Sequence, residues 1–378
     1  MSFDWKDWRK PPLEPDRPAD STEGFAAEAL PLRHARVVDI AANAGVGTAT
    51  VDRVLNDRAN VRETTRQRVL QAKAAIEAGR LSPRPARERM PAQRATPWRL
   101  KVMLPAEAGQ STDNLAAAFQ ACGAEGDVTV ECEFSRKMEP ALLARKLRAC
   151  AGQRVDAIAF QALDDPRVHQ SVEALSLEGI PCVAIASNLE HPHLAGYVGV
   201  DNRASGRTAG QLMGKWVRGT GDIAILSGGQ LYRCHDEREM GFRAALRPHI
   251  GRLRIVGAFT GDDDDMGNFK VMEGLLDRHP ELVGVYNVGG GNAGLVKALQ
   301  SRGVVGELCV IVHNLTAETR DYLVDDLVDV VIHQNMQRLA TETVKAMVAK
   351  LERRSYPLHP LQIEIVTREN TQSVLHAG

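Results

Sequence analysis

Residues 37–56 constrain the fold of this chain more than any other stretch, because they combine two amphipathic segments with a glycine-containing turn. In the first segment apolar residues recur at i, i+3, i+4 and i+7, which places them on one helix face: Val37, Ile40, Ala41 and Ala44. The second segment repeats this pattern with Val51, Val54 and Leu55. The turn at 44–47 contains two glycines, and glycine can adopt the positive φ angles that a sharp connection between helices needs. The sequence therefore predicts a helix-turn-helix, covered by a third helix over residues 63–76.

The residues that point away from this small core are suited to the major groove of double-stranded DNA. At about 100° per residue, the face opposite the apolar stripe of the second helix carries Ala49, Asp52, Arg53 and Asn56. The short side chains at the start of this helix allow close approach, and Arg53 can pair with guanine through two hydrogen bonds. For a bare turn of this kind, the alternative is a helical hairpin that only packs within a larger core.

The segment 37–69 resembles the DNA-binding headpiece of the lactose repressor and galactose repressor (LacI/GalR) family. It matches D-[IV]-A-x-x-A-G-V-x-x-x-T-V-x-R-V-[LV]-N and then V-x-x-x-T-R-x-[RK]-V. The resemblance implies a homodimeric, ligand-responsive repressor whose partner is double-stranded operator DNA. It also implies that bases are read by Thr48 and Ala49, that Arg53 contacts a base or the backbone, and that phosphates are held by Thr50, Asn56, Thr65 and Arg66.

Two positions depart from the family pattern. Residue 47 is usually serine, and Gly47 offers no hydroxyl to cap the second helix or to bind phosphate. Residue 52 is usually serine as well, and the carboxylate of Asp52 would repel a phosphate unless it is paired. One of the family's contacts to the DNA backbone is therefore in doubt.

The charge distribution separates a basic front part from an acidic body. Residues 33–94 carry 13 Lys and Arg against 6 Asp and Glu, a balance of +7, while the whole chain has a net charge of −1. This asymmetry is typical of a polyanion binder with a separate second domain, although an arginine-rich composition alone would give the same balance. With 378 residues the chain is long enough for two or three domains.

Proline-rich stretches mark the boundaries between the expected domains. We expect a mostly disordered extension at 1–34, the headpiece at 35–78, a hinge or linker at 79–97 and a ligand-binding core at 98–378. In the resembling family a short hinge helix lies in the minor groove, where a leucine wedge opens a base step. Met90 falls at the wedge position if Pro83 aligns with the proline before that helix, and an unstructured spacer is the alternative.

From residue 98 onward short apolar runs alternate with helical stretches, which predicts parallel sheets covered by helices. The strand candidates are 100–104, 128–134, 157–160, 183–186, 223–226, 255–259, 284–286, 310–312 and 328–332.

Their order resembles a two-lobed periplasmic-binding-protein fold of ribose-binding type, supported by V-G-V-D-N-x-x-A/S-G at 198–206 and R-x-x-G-F at 238–242. The resemblance implies crossovers near 201–202, 334–335 and 361. Lobe 1 would comprise 98–201 and 335–360, and lobe 2 would comprise 202–334 and 361–378. The expected fold class is thus an all-α headpiece followed by an α/β two-lobed core with parallel sheets.

Polar residues directly after the strands are expected to bind a ligand, because ligands of such sheets bind at the carboxyl ends of strands. By the resemblance Gln334 binds sugar hydroxyls, and Asn314 stands where an aspartate usually does so. The family's Asp-Arg pair after the fourth strand is here Ala186-Ser187, and a further arginine position holds Asp236. The loss of two arginines favours a neutral sugar or polyol, or a cation, over an acidic ligand. The expected ligand-binding residues are Asn114, Ser187, Asn188, Asp236, Asp263, Asn292, Asn314 and Gln334.

The remaining patterns favour no catalytic, metal or cofactor site. Six scattered cysteines are typical of a reducing cytosol, and with no apolar run long enough for a membrane span or an export signal we expect a cytoplasmic protein. The four aspartates at 262–265 are more typical of a solvated loop than of a metal site, and the glycines at 289–291 favour close backbone approach to a ligand over nucleotide binding. His235 and His313 favour hydrogen bonding over catalysis. A solute receptor without DNA function and an enzyme are the alternatives to a DNA-binding regulator.

Overall fold

The computed structural model describes residues 35, 37–44, 46–58, 61–77, 96–106, 109–124, 127–135, 139–229 and 232–372. The chain forms two compact units, one from residues 1–93 and the other from residues 94–378.

The first unit contains a three-helix headpiece, which confirms the predicted helix-turn-helix. Its helices are α1 (Val37–Ala44), α2 (Thr48–Leu55) and α3 (Glu63–Glu77). The apolar faces of the three helices meet in one small core of Ile40, Ala41, Ala44, Val51, Val54, Val69, Ala72 and Ile76. Val37 and Leu55 were expected on these faces, but both are partly exposed because they lie at the outer ends of their helices.

Lobe 1 of the second unit is built on a five-stranded parallel sheet. Its strands are β1 (Trp98–Pro105), β2 (Val128–Ser135), β3 (Ala157–Phe160), β4 (Cys182–Ile185) and β5 (Gly196–Val198), in the order β2-β1-β3-β4-β5. One face packs on α4 (Gly109–Ala124) and α12 (Met336–Leu351), and the other on α5 (Pro140–Ala149) and α6 (Pro166–Leu177). Because both faces are covered, the central strands β3 and β4 read as continuous apolar runs.

Lobe 2 repeats this design with a six-stranded sheet. Its strands are β6 (Gly221–Ser227), β7 (Leu253–Thr260), β8 (Leu282–Asn287), β9 (Cys309–His313), β10 (Val330–Gln334) and β11 (Ile363–Val366), in the order β11-β10-β9-β8-β6-β7. Strand β11 alone runs antiparallel to its neighbour. The sheet packs between α7 (Asn202–Trp216) and α8 (Arg233–Leu246) on one face and α9 (Asp265–Arg278), α10 (Asn292–Arg302) and α11 (Ala317–Val324) on the other.

All nine strand candidates overlap an observed strand, and the predicted α/β architecture is confirmed. Two of the observed strands were not predicted from the sequence. Strand β5 has only three residues, and β11 is a short edge strand that carries the polar Glu364 between isoleucines. Strand β5 is too short to give a distinctive apolar pattern, and the polar residue interrupts the apolar run of β11.

The chain passes between the lobes three times. The first crossover leads from β5 to α7, the second from β10 to α12, and the third from α12 to β11. The first and third lie side by side, because Val200 and Leu361 form a parallel bridge and the Leu361 amide donates to the Gly199 carbonyl. Two polar residues that follow strands here serve as helix caps: Asp201 accepts from the Ala204 amide and Asn335 from the Arg338 amide.

Helices α7 and α8 approach each other so closely that only glycine fits between their backbones. A Cβ atom at Gly206 would lie 1.9 Å from the Arg238 carbonyl oxygen, and one at Gly241 would lie 2.1 Å from the Arg203 carbonyl oxygen. These glycines belong to the two motifs at 198–206 and 238–242. Their packing brings the first turns of α8 to the edge of the space between the lobes.

Candidate functional site

A cavity of about 230 Å³ lies between the lobes, at the carboxyl ends of the parallel strands. Lobe 1 contributes the first turn of α4 and the ends of β3 and β4, and lobe 2 contributes the start of α8 and the loops that follow β7, β8 and β9. This is where open parallel sheets bind ligands. Among the predicted ligand-binding residues, the structure brings four together here: Asp263, Asn292, Asn314 and Gln334.

Asp263 is held at the cavity by a shell of glycine backbone. Its Oδ1 atom accepts a hydrogen bond of 2.8 Å from the Gly290 amide. A Cβ atom at Gly289 would lie 1.9 Å from that oxygen, and one at Gly228 would lie 2.1 Å from Oδ2. The glycines at 289–291 therefore allow the backbone to approach a protein carboxylate, whereas the sequence predicted approach to a ligand. The chain reaches this position with a φ of 56° at Asp263, which is costly for a residue other than glycine.

Other cavity residues also adopt left-handed backbone conformations. Ala186 follows β4 with a φ of 59°, and Asn314 follows β9 with a φ of 65°. The backbone N–H of Asn314 donates to the Ile332 carbonyl at 3.0 Å, which fixes the loop after β9 to the neighbouring strand β10. Such conformations cluster at ligand-binding sites because the surrounding structure imposes them.

Two buried imidazoles line the cavity beside Asp263. The Nε2 atom of His235 lies 3.9 Å from Asp263 Oδ2, and the buried Nδ1 of His235 has no hydrogen-bond partner among the described residues. His313 Nε2 lies 2.7 Å from the Tyr286 hydroxyl. Burial lowers the pKa of both histidines, and the positive charge of Arg238 lowers them further. Both rings are therefore neutral near pH 7 and offer one donor and one acceptor each, in line with the predicted hydrogen-bonding role.

Arg238 is a cavity residue that was not predicted from the sequence. It is only 6% exposed, and its Nε donates to Asn202 Oδ1 at 2.9 Å while Nη1 donates to the Val288 carbonyl at 2.7 Å. Asn202 in turn donates to the Ala186 carbonyl at 3.2 Å. One buried guanidinium thus links α8, the loop after β8 and the first crossover.

Helical spacing decides which residues of α8 face the cavity. Cys234, His235 and Arg238 lie on one face and line it, whereas Asp236 lies on another face. Asp236 lines a second cavity of about 590 Å³ beside the crossovers, together with Asn188. The helical period starting at Arg233 would have separated these two sets from the sequence alone.

Two further predicted ligand residues also lie away from the central cavity. Ser187 is fully buried, and its hydroxyl accepts a hydrogen bond of 3.3 Å from the Cys234 amide, so it joins lobe 1 to the start of α8. Asn114 is exposed on α4. Gln334, by contrast, is both a cavity residue and a crossover residue, because its Oε1 accepts from the Val200 amide at 3.1 Å.

The lobes are in contact across the cavity mouth. Gln110 at the start of α4 accepts through Oε1 from the amides of Ala317 and Glu318, at 2.7 and 3.4 Å, where α11 begins. A second contact between the lobes lies at the other cavity, which Arg233 of α8 lines. There Arg233 pairs with Glu190, which follows β4. The structure is therefore that of a closed two-lobed clamp.

The charged residues that line the cavity are mainly acidic. They comprise one arginine, Arg238, and the carboxylates of Asp263, Asp264, Asp265 and Glu318. Part of this charge is used locally, since Asp264 caps α9 by accepting from the Gly267 amide. Within the described ranges, no group of three or more His, Cys, Asp or Glu residues is arranged to hold a metal ion.

In the headpiece, α2 presents the side chains expected to face DNA. Thr48, Ala49, Arg53 and Asn56 are exposed, and Thr50, Thr65 and Arg66 are partly exposed. Helix α2 begins after Gly47 without a side-chain cap, as its sequence requires. Asp52 is exposed and paired, with Asn56 and Arg58 as partners. Met90 lies outside the described residues.

Comparison with known families assigns both units. The family of bacterial regulatory proteins named lacI matches residues 37–77, and the periplasmic binding protein domain matches residues 106–355. The chain belongs to the LacI family. Its headpiece makes this LacI family member a DNA-binding regulator, and its larger unit is a domain of the periplasmic-binding-protein type. None of the helices in the described part of the chain has the length and apolar character needed to cross a bilayer.

Similar proteins are known for the larger unit of this LacI family member. The ribose import binding protein RbsB of Bacillus subtilis (strain 168) is 27% identical over 134 residues, which make up 35% of this chain and 43% of RbsB. The match thus spans less than half of that relative.

Solved structures share the fold at low sequence identity. The glucose-galactose binding protein GanP of Geobacillus stearothermophilus has a TM-score of 0.68 at 19% identity, covering 73% of this chain and 99% of GanP. A solute binding protein of Burkholderia graminis C4D1M in complex with D-arabinose has a TM-score of 0.69 at 21% identity, covering 74% and 98%. One from Bacillus halodurans C-125 with bound myo-inositol has a TM-score of 0.67 at 19% identity, covering 74% and 98%.

Proposed function

We propose that this protein is a homodimeric repressor whose affinity for operator DNA is controlled by a small neutral sugar or polyol bound between the two lobes. The observation that carries the proposal is the polar cavity between the lobes, in a chain that also carries an exposed DNA-reading helix. Asp263, Asn292, Asn314 and Gln334 would hold the ligand, since carboxylate and amide groups complement hydroxyl groups.

The charges of the cavity favour a neutral ligand over an anionic one. Four carboxylates face one guanidinium, and the Nε and Nη1 groups of Arg238 already donate to Asn202 and Val288. An anion entering this space would therefore meet net repulsion, chiefly from Asp263, because the other three carboxylates belong to exposed residues and are screened by solvent. Neutral His235 and His313 can bind hydroxyl groups as donors or acceptors. Neutral polyhydroxylated ligands of the structural neighbours, D-arabinose and myo-inositol, are consistent with this class.

Control of DNA binding would follow from the movement of the lobes. The ligand favours the lobe arrangement in which it has more contacts, and the equilibrium between arrangements shifts accordingly. In a homodimer each headpiece is tethered to lobe 1 of its own chain. A change in the distance between the two copies of lobe 1 therefore changes the spacing of the two DNA-reading helices. A switch from 99% to 1% of the DNA-competent form requires a preference of roughly 5.5 kcal/mol for one state.

Thermal-shift titrations test the ligand class. The full chain is titrated with D-ribose, D-galactose, D-arabinose and myo-inositol, and each sugar is compared with its phosphorylated or acidic counterpart. We expect a neutral compound to raise the melting temperature at a concentration where its charged counterpart has no effect. In the Asp263→Asn and Gln334→Ala variants this shift should disappear. In Asp236→Asn it should persist, because Asp236 lines the other cavity. Tighter binding of a sugar phosphate than of its parent sugar would contradict the proposal.

The likeness to RbsB raises one competing function, that of a solute receptor without a role in DNA binding. Retention of the full chain on non-specific duplex DNA distinguishes the two. A DNA-binding regulator is retained at low ionic strength and released as salt increases. Its binding releases counterions from the DNA phosphates, and added salt opposes that release. A receptor passes through at every salt concentration.

A further inference from the structure

The carboxylate of Asp52 lies on the exposed face of the DNA-reading helix α2, and it is 52% exposed. The side-chain amide nitrogen of Asn56 donates to the Asp52 carbonyl at 2.9 Å and to Asp52 Oδ1 at 2.8 Å. Arg58 Nη1 lies 3.5 Å from Asp52 Oδ2. Asp52 thus binds the side-chain amide of Asn56 and the guanidinium of Arg58.

A second carboxylate, Asp57, holds another expected DNA contact. Arg66 Nη1 donates to Asp57 Oδ1, which places the guanidinium of α3 next to the residue that follows α2. Asp57 reaches this position with a φ of 51°, a conformation that aspartate and asparagine tolerate better than most residues. The hydrogen bond and negative charge of Asp57 raise the pKa of Arg66.

These contacts use donors that phosphate would need. Phosphate oxygens only accept hydrogen bonds, and an amide nitrogen carries two N–H groups, both of which Asn56 directs at Asp52. In this arrangement Asn56 offers a phosphate only its carbonyl oxygen, which would be repelled. Arg58 and Arg66 keep further N–H groups available, but the carboxylate beside each guanidinium offsets its attraction to phosphate. Arg53 differs, because its side chain makes no ion pair with any described residue.

The two carboxylates account for a large part of the charge balance of the headpiece, and hence of its attraction to DNA. Residues 37–77 contain six Lys and Arg against five Asp and Glu, so the three helices and their connections carry a net charge of only +1. Most of the positive charge counted over 33–94 therefore lies outside them. Replacing Asp52 and Asp57 by neutral residues would raise the headpiece from +1 to +3. Electrostatic attraction to phosphate supplies nearly all of non-specific DNA affinity, so a change of this size has a direct effect.

We propose that Asp52 and Asp57 are specificity-determining residues that act as internal counterions and suppress binding to non-operator DNA. They keep Asn56, Arg58 and Arg66 paired within the headpiece until contacts to the correct bases compensate for the loss of these pairs. The carboxylates thereby act as a repulsive element against wrong sites, one of the two ways in which a binding protein gains specificity. The proposal rests on the DNA-binding function of the headpiece.

Salt-dependent binding of the full chain to a fluorescently labelled random-sequence duplex tests the proposal. The variants are Asp52→Ser, Asp57→Asn and the double variant, and asparagine suits the left-handed conformation at 57. Each single change should steepen the slope of log K against log[salt] by about 0.9 per headpiece, and should tighten binding roughly tenfold near 50 mM salt. The matched control is Glu77→Gln, which also removes one negative charge from the headpiece, at a partly exposed position at the far end of α3 where Glu77 pairs with Lys73. It should change the slope by much less.

Specificity is measured with an operator that the wild-type chain selects from a random pool. The ratio of operator affinity to random-duplex affinity should fall at least severalfold in the double variant. In Glu77→Gln this ratio should stay at the wild-type value. If the Asp52 and Asp57 variants bind the random duplex with a salt slope no steeper than that of Glu77→Gln, the proposal is overturned, but the DNA-binding function of the headpiece is not. A wild-type chain that binds no duplex at low salt would instead overturn the DNA-binding function. The isosteric Asp52→Asn variant repeats the slope measurement if circular dichroism shows that Asp52→Ser unfolds the headpiece.

Discussion

Removal of the Gln110 side chain should loosen the contact between the lobes by a measurable amount. The first N–H groups of an α-helix have no partner within the helix, and those of Ala317 and Glu318 instead donate across the cavity mouth to Gln110 Oε1. The bond of 2.7 Å is well formed and that of 3.4 Å is weak, so together they contribute about 1 kcal/mol at this exposed position. In Gln110→Ala the equilibrium between closed and open lobes should therefore shift about fivefold toward the open state.

Amide hydrogen exchange measures this shift without a ligand. In Gln110→Ala the peptide containing residues 317–318 should exchange at least about fivefold faster than in the wild type, while strand β9 in the core of lobe 2 remains protected. Gln110→Glu is the matched control, since a carboxylate accepts the same hydrogen bonds and interacts favourably with a helix N-terminus. Unchanged exchange in Gln110→Ala would refute the reasoning, because the contact would then be absent in solution.

Three further predictions concern the cavity, the sheet of lobe 2 and the headpiece. Gly289→Ala places a Cβ atom 1.9 Å from Asp263 Oδ1, so it should destabilise the core by roughly 1–3 kcal/mol in urea titrations, whereas Gly219→Ala, with open space around it, should not. Burial lowers the pKa of His333 to about 4, so the unfolded state binds more protons below pH 6.5, and roughly 3 kcal/mol of stability should be lost between pH 6.5 and 4. The loss should be smaller by about this amount in His333→Asn, in which other buried histidines still titrate, and the asparagine oxygen can still accept from the Leu315 amide as Nδ1 does now at 3.0 Å. Ile40→Ala should cost the headpiece about 2–5 kcal/mol and abolish DNA binding while leaving the calorimetric transition of the core in place.

The parts of the fold that follow from local periodicity could be predicted from the sequence. The apolar spacing in α1 and α2 located the headpiece, and short apolar runs located nine strands, whereas the crossovers between lobes were implied by the family resemblance. These signals are local because a helix or strand must bury one face or both wherever it packs. The three-residue strand β5 carries too few residues for such a signal.

The site was predicted less completely, because its geometry depends on helix phase and on long-range packing. The carboxyl ends of strands correctly indicated the cavity, yet Asp236 and Arg238 lie on different faces of α8, and only Arg238 enters it. Ser187 follows a strand as expected, but the approach of α8 buries it in a contact between the lobes. The sequence around the glycines at 289–291 does not indicate that they contact Asp263, because Asp263 lies on the loop after another strand.

The most direct test of the central claim is the coupling between ligand and DNA in one full-length molecule. Operator affinity is measured by fluorescence anisotropy in the absence and at saturation of the neutral sugar or polyol that most stabilises the core. We predict that saturation changes the dissociation constant for the operator at least tenfold, and that operator DNA changes the dissociation constant for the sugar by the same factor. An operator affinity that is identical with and without a sugar that demonstrably binds would contradict the account.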